Sequence, residues 1–228
     1  MPRTLQRVAI LASAATLAIS TLPAAVGAQT TYTSLATWLA AVGGTASWSE
    51  DFSSFTSDES FLSSAVNTSA FSLQATNSGR VFRNNIDVPP VQFTDNNGTA
   101  YASMFTNFGE QTVNLRLNQS ISAWGAEFFA ARSGEAVLLD LFSSTDALLS
   151  SVEVSVNSGF FGFVMAPGAA VARIEFRSAT ENPGPGGEGF GMDNVTGVTA
   201  VAVPEPTTLG LLGMGFLFLG AATRRRTR

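Results

Sequence analysis

The chain has 228 residues, 12 cationic side chains (all arginine) against 17 acidic ones, and no histidine, cysteine or lysine. At about 100–200 residues per domain, this length holds one compact domain plus processing segments. The missing residue types exclude a cysteine nucleophile, Ser-His-Asp and Ser-Lys catalysis, a histidine general base, an ordinary zinc or haem site and any disulfide, leaving core packing or a hard cation to stabilise the fold outside a cell.

Residues 1–28 read as a secretory signal peptide. Arg3 and Arg7 form the positive start, Val8 to Ile19 the apolar centre, and Val26-Gly27-Ala28 the small residues before a cleavage between Ala28 and Gln29. An apolar stretch of about twelve residues is too short to span a hydrocarbon core of roughly 30 Å. One short helix follows. Thr33 or Ser34 can cap it, Leu35, Trp38, Leu39 and Val42 recur at helical spacing, and Gly43-Gly44 ends it. Trp38 is expected to anchor this helix in the core.

From about Ala46 the apolar period becomes two. Val113, Leu115 and Leu117 alternate with Asn114 and Arg116; Val152, Val154 and Val156 alternate with Glu153 and Ser155. Ala136 to Phe142 is apolar enough for a central strand, and Val171, Ile174 and Phe176 mark another. Further short runs lie at 70–75, 91–94, 101–105, 121–129, 160–164 and 191–198, with Asp95-Asn96-Asn97-Gly98 and Asn157-Ser158-Gly159 among the turn signals. About ten short strands between such turns predict an all-β sandwich over 29–199. Glu181 to Gly189 reads as a loop rich in proline and glycine.

Residues 200–206 form a linker that ends in Pro204-Glu205-Pro206, whose prolines keep the segment extended. An uncharged run over 207–223 follows. At about 1.5 Å per residue it makes roughly 25 Å of helix, the span of a thin bilayer, so a transmembrane helix is predicted there. Arg224, Arg225, Arg226 and Arg228 then form a tail over 224–228 that the positive-inside rule keeps cytoplasmic.

Pro204-Glu205-Pro206, an apolar helix and a terminal arginine cluster together resemble the PEP-CTERM sorting signal. The resemblance implies an exported protein of a Gram-negative bacterium that makes exopolysaccharide. It implies export machinery and an exosortase as partners, membrane attachment through the helix before processing, and removal of helix and tail near Pro204, Glu205 and Pro206. The chain would be the substrate of that system, placed at the cell envelope, the surface or the biofilm matrix. Residues 29–206 keep six arginines and all 17 acids, a net charge of −11. That balance argues against nucleic acid as a partner, which needs a basic face.

The leading helix, Trp48-Ser49-Glu50-Asp51-Phe52, the runs 113–117 and 121–129, and Gly189-Phe190-Gly191-Met192-Asp193-Asn194-Val195 are similar to the sandwich ectodomain of exported PEP-CTERM proteins and, more distantly, to jelly-roll carbohydrate-binding modules. The resemblance implies that the first and last strands lie side by side. It also implies a structural calcium at Glu50, Asp51 and Asp193, with Asn194 and backbone carbonyls completing the shell. The ectodomain is expected to be a structural or binding part of the matrix, associated with extracellular polysaccharide. For sugar binding the aromatic candidates are Trp48, Trp124 and Tyr101, beside Asn84, Asn85, Asn96 and Asn97, although Trp124 lies in a run apolar on both sides and is expected inside. Glycoside hydrolysis needs only two carboxylates, but no acid pair here sits in a defensible motif, and no enzyme activity is expected. Arg80 and Arg83 read as solvated surface charge.

Overall fold

The structure, a computed structural model, describes residues 29–76, 84–88, 98–106, 111–132, 136–179 and 188–200. The predicted signal peptide, the run at 91–94, Arg80, Arg83, Asn96, Asn97 and everything from 201 onward, including the linker motif, the predicted membrane helix and the arginine tail, lie outside these residues. Most of the described chain is strand, as the period-two pattern requires. In chain order the elements are β1 (Gln29–Tyr32), α1 (Leu35–Ala41), β2 (Trp48–Glu50), β3 (Glu59–Ser60), β4 (Val66–Asn67), β5 (Phe71–Ala75), β6 (Asn85–Asp87), β7 (Tyr101–Thr106), β8 (Val113–Phe129), β9 (Val137–Phe142), β10 (Leu148–Glu153), β11 (Gly159–Met165), β12 (Val171–Ser178) and β13 (Glu188–Thr199).

The strand β8 organises them. Residues 113–117 and 121–129 read as two strands in the sequence but form one continuous strand of 17 residues. The reason is that Asn118-Gln119-Ser120 contains no glycine or proline to break it. The change happens instead in its partners. Its first part, around Val113–Leu117, lies between β5 and β12. Its second part, from Ile121 to Phe129, lies between β11 and β13. One sheet therefore runs β4-β5-β8-β12-β9-β10, and the other runs β1-β11-β8-β13-β7-β6-β3 with β2 also beside β13. All pairings are antiparallel.

The two sheets face each other across a dry core, as expected of a sandwich. Trp124 stacks on Phe163 at 6.0 Å in its own sheet and meets Phe176 of the other sheet at 6.1 Å. Phe176 also lies 5.9 Å from Phe190, and Trp48 on β2 lies 5.9 Å from Phe71 on β5. Trp124, Phe128, Phe161, Phe163, Phe176 and Phe190 are fully buried. Each such side chain stabilises the fold by about 1.5–3 kcal/mol through burial alone.

The helix is where its periodicity places it, but on the outer face of the second sheet. The extended backbone of Ser34 lets its carbonyl accept from Trp38 N–H at 3.0 Å. Gly43 and Gly44, with φ of 89° and 92°, end the helix, and Gly44 N–H returns to Leu39 O at 2.7 Å. Trp38 is fully buried against Ala123 and Phe160, and its indole N–H donates to Phe163 O at 3.1 Å. Phe160 in turn packs against Gly125 and Gly162, where an added Cβ would fall 2.4 Å from its ring and 2.8 Å from Trp124 O respectively.

Three differences from the sequence pattern are local. β1 forms directly after the predicted cleavage position and adds an edge strand beside β11; four residues are too few for a periodic signal. β10 stops at Glu153, although Val154 remains buried. The last strand starts at Glu188, inside the stretch read as loop. Among the described residues no helix is long and apolar enough to cross a membrane.

Candidate functional site

The acids singled out in the sequence lie around a β-bulge without converging on one point. Glu50 pairs with Val195, so β2 does lie beside β13, the last strand. Asp193 pairs with Glu127, but the next matched pair is Thr196 with Gly125, which leaves one extra residue on β13. Asn194 absorbs it with φ of 48°, a left-handed conformation that asparagine tolerates. The bulge reverses the alternation of β13. Phe190, Met192 and Val195 all reach the core, while Asp193 stands on the outer face with Thr196. Glu50 is therefore in register with a core residue and Asp193 is on the other side of the sheet.

Each carboxylate has its own hydrogen bonds. Glu50 Oε1 accepts from Phe52 N–H at 2.9 Å. Asp51 Oδ1 accepts from Ser53 Oγ at 2.7 Å and Ser53 N–H at 3.1 Å, which lowers the Asp51 pKa from its ordinary value. Asp193 Oδ1 accepts from Asn194 N–H at 2.6 Å and Oδ2 from Thr99 Oγ1 at 3.0 Å. Burial nevertheless pushes the Asp193 pKa up to about 6, with the negative charges of Glu127 and Asp51 adding to it. The residue brought closest to Asp193 across the ladder is thus Glu127, which the sequence reading did not single out. Among the described residues no three acids are grouped so as to hold a metal ion.

The sugar-binding candidates are mostly interior. Trp124 is buried as expected, and Tyr101 is buried as well, edge-on to Phe129 at 6.3 Å. Neither offers a face to a sugar. Asn84 and Asn85 are also buried: Asn84 Oδ1 accepts from Phe105 N–H at 2.9 Å, and Asn85 Nδ2 donates to Asp87. Trp48 is half-buried. It lies over Gly197, where an added Cβ would fall 2.3 Å from its ring, and borders a cavity of about 240 Å³ with Asn118, Gln119 and Thr199.

The outer face of the first sheet carries the polar array that the sequence reading missed. Two cross-strand rows run side by side. Gln74, Asn114, Glu175, Asp140 and Ser151 stand opposite one another on β5, β8, β12, β9 and β10. Ser72, Arg116, Arg173 and Phe142 form the neighbouring row. Arg173 Nη1 donates to Asn114 Oδ1 at 2.8 Å and Glu175 Oε2 at 3.1 Å, its Nε to Asp146 Oδ1 at 3.0 Å, and its guanidinium covers the Phe142 ring at 3.7 Å. Arg177 holds Asp140 through Nε at 2.5 Å and Nη2 at 3.2 Å. At the β5–β8 end the rows open into a groove of about 610 Å³ lined by Leu62, Ser63, Gln74, Thr76, Asn114 and Arg116. The outward direction of Asn114 and Arg116 was legible in their alternation with Val113 and Leu115. Their partners were not, because they come from segments far away in sequence.

Residues 202–226 match the family described as the PEP-CTERM protein-sorting motif. The comparison with curated proteins gives no match. Among solved structures, the chain is similar to the enzymatically active domain of tailspike protein 4 of bacteriophage CBA120, at 14% identity and a TM-score of 0.30. That likeness covers 65% of this chain and 20% of the phage chain, and at this TM-score it carries no argument about fold or function. The motif match does carry one. The chain carries a PEP-CTERM protein-sorting motif at residues 202–226, the signal of an exosortase substrate, which implies export to the cell envelope or surface.

Proposed function

We propose that the β-domain is a non-enzymatic binding component of the extracellular matrix, associated with exopolysaccharide and delivered by its sorting motif. The observation that carries this reading is the junction between domain and motif. Among the described residues the last backbone hydrogen bond, from Ala200 N–H to Ser120 O at 2.9 Å, falls just before the motif begins at residue 202. In this reading a protease acts at Pro204-Glu205-Pro206, beyond the described strands, and leaves the sandwich intact. In this reading residues 1–28 are removed at Ala28–Gln29, residues 207–223 hold the precursor in the membrane, and the tail of Arg224, Arg225, Arg226 and Arg228 stays inside. The polar rows on the first sheet support a binding role, since they place amides and charges on an open strand face.

Intact mass of the full-length protein expressed with and without an exosortase tests it. The expected product begins at Gln29 and ends near Pro204–Pro206 only when the exosortase is present. A product that keeps Arg224–Arg228 in both hosts would overturn the processing step.

A further inference from the structure

We infer that the groove at the β5–β8 end of the first sheet binds a carboxylated sugar unit through Arg116. The inference rests on the binding role proposed above and names its ligand class. Of the four arginines among the described residues, Arg132 pairs with Glu153, Arg173 with Asp146 and Glu175, and Arg177 with Asp140. Arg116 is exposed and has no side-chain partner. Among the described residues it is the one arginine without an ion pair, in a chain whose residues 29–206 carry a net charge of −11.

Its surroundings select the ligand. Arg173 directly opposite takes up Asn114 Oδ1, which leaves the Asn114 amide N–H groups as donors toward the groove. Gln74 stands beside Asn114 and adds a donor and an acceptor, with the Ser63 hydroxyl on the rim; the Thr76 hydroxyl there is taken up by the Thr112 backbone. A single guanidinium matches one carboxylate in a two-pronged contact. Amides and a hydroxyl around it match the hydroxyl groups of a sugar ring, and a volume near 610 Å³ falls within the roughly 300–1,000 Å³ usual for small-molecule sites. The overall negative charge does not veto an anionic ligand, because salt screens charges more than about 8 Å away. On this face Arg116, Arg173 and Arg177 balance Asp140, Asp146 and Glu175.

The test is calorimetric titration of the full-length protein in detergent with a galacturonate trisaccharide, its methyl ester and a tri-glutamate peptide. The expected result is binding of the acid trisaccharide, weakened at least tenfold by esterification and by Arg116→Gln. Arg116→Lys should recover part of the loss by restoring charge without the fork. Arg116 is exposed and unpaired, so both variants should melt with the wild type, which separates lost binding from lost fold. Equal binding of acid and ester, no effect of Arg116→Gln, or no binding at all would overturn the assignment. Peptide binding as tight as that of the sugar would overturn the saccharide class. None of these outcomes affects the mass test of sorting.

Discussion

Asp193 and Glu127 face each other across the β8–β13 ladder, and Asn194 serves both: its backbone N–H donates to Asp193 Oδ1 at 2.6 Å and its side-chain amide to Glu127 Oε2 at 3.1 Å. The bulge residue thus gives a hydrogen-bond donor to each of two like charges that the register places face to face.

The buried carboxyl makes stability depend on pH. Asp193 has a folded-state pKa raised from 3.8 to about 6. Its contribution is therefore fully present below pH 4 and is lost as pH rises through 6. The difference in unfolding free energy between wild type and Asp193→Asn should shift against the wild type by about 2–3 kcal/mol between pH 4 and pH 7. Denaturant melts at the two pH values check this. Because Glu50 and Asp51 are turned onto their own backbone, millimolar calcium is expected to leave the dependence in place; a flattened dependence with a raised Tm would show a cation on Asp193.

Trp38 fastens the helix to the sheet. Trp38→Ala should cost about 3–5 kcal/mol by emptying a fully buried site. Trp38→Phe keeps most of the packing and loses the bond to Phe163 O, so about 1 kcal/mol is expected. Equal Tm losses in the two variants would show that packing is not what holds the helix.

Gly162 lies where two layers touch. An alanine there places Cβ 2.8 Å from the backbone oxygen of Trp124, an atom fixed in the β8–β11 ladder. Gly162→Ala should destabilise by about 1–3 kcal/mol, from strain, and fluorescence-monitored urea unfolding would read it as a lower midpoint.

Arg177 neutralises a carboxylate on the outer face that its neighbours almost wholly cover. Arg177→Ala leaves Asp140 with only Ser151 as partner and should cost about 1–3 kcal/mol. The double variant Arg177→Ala with Asp140→Ala should recover part of that loss, since the unpaired charge is gone; a purely additive loss would count against the pairing.

The domain should fold without the motif. A chain of residues 29–200 keeps every described strand and is expected to match the Tm of the full-length protein. A chain ending at Met192 loses the pairing of β13 with β2 and with residues 121–127 of β8, and should not fold.

The sequence by itself determined the all-β class, the helix and its buried Trp38, and most long strands, because those follow from local period and turn chemistry. The sorting motif was legible for the same reason: its prolines, apolar run and arginines are contiguous. Only the tertiary structure decided which side chains share a face. β8 changes partners between Leu117 and Ile121, and the bulge at Asn194 puts Asp193 on the face away from the core-directed Val195 opposite Glu50. A single inserted residue reverses every side chain beyond it, and nothing in the local period marks it. The polar rows that join Gln74 and Asn114 to Glu175 and Asp140 depend on antiparallel registers between distant segments. Those registers are set by how the buried aromatics of two sheets fit together, a property of the packed core that no stretch of sequence carries alone.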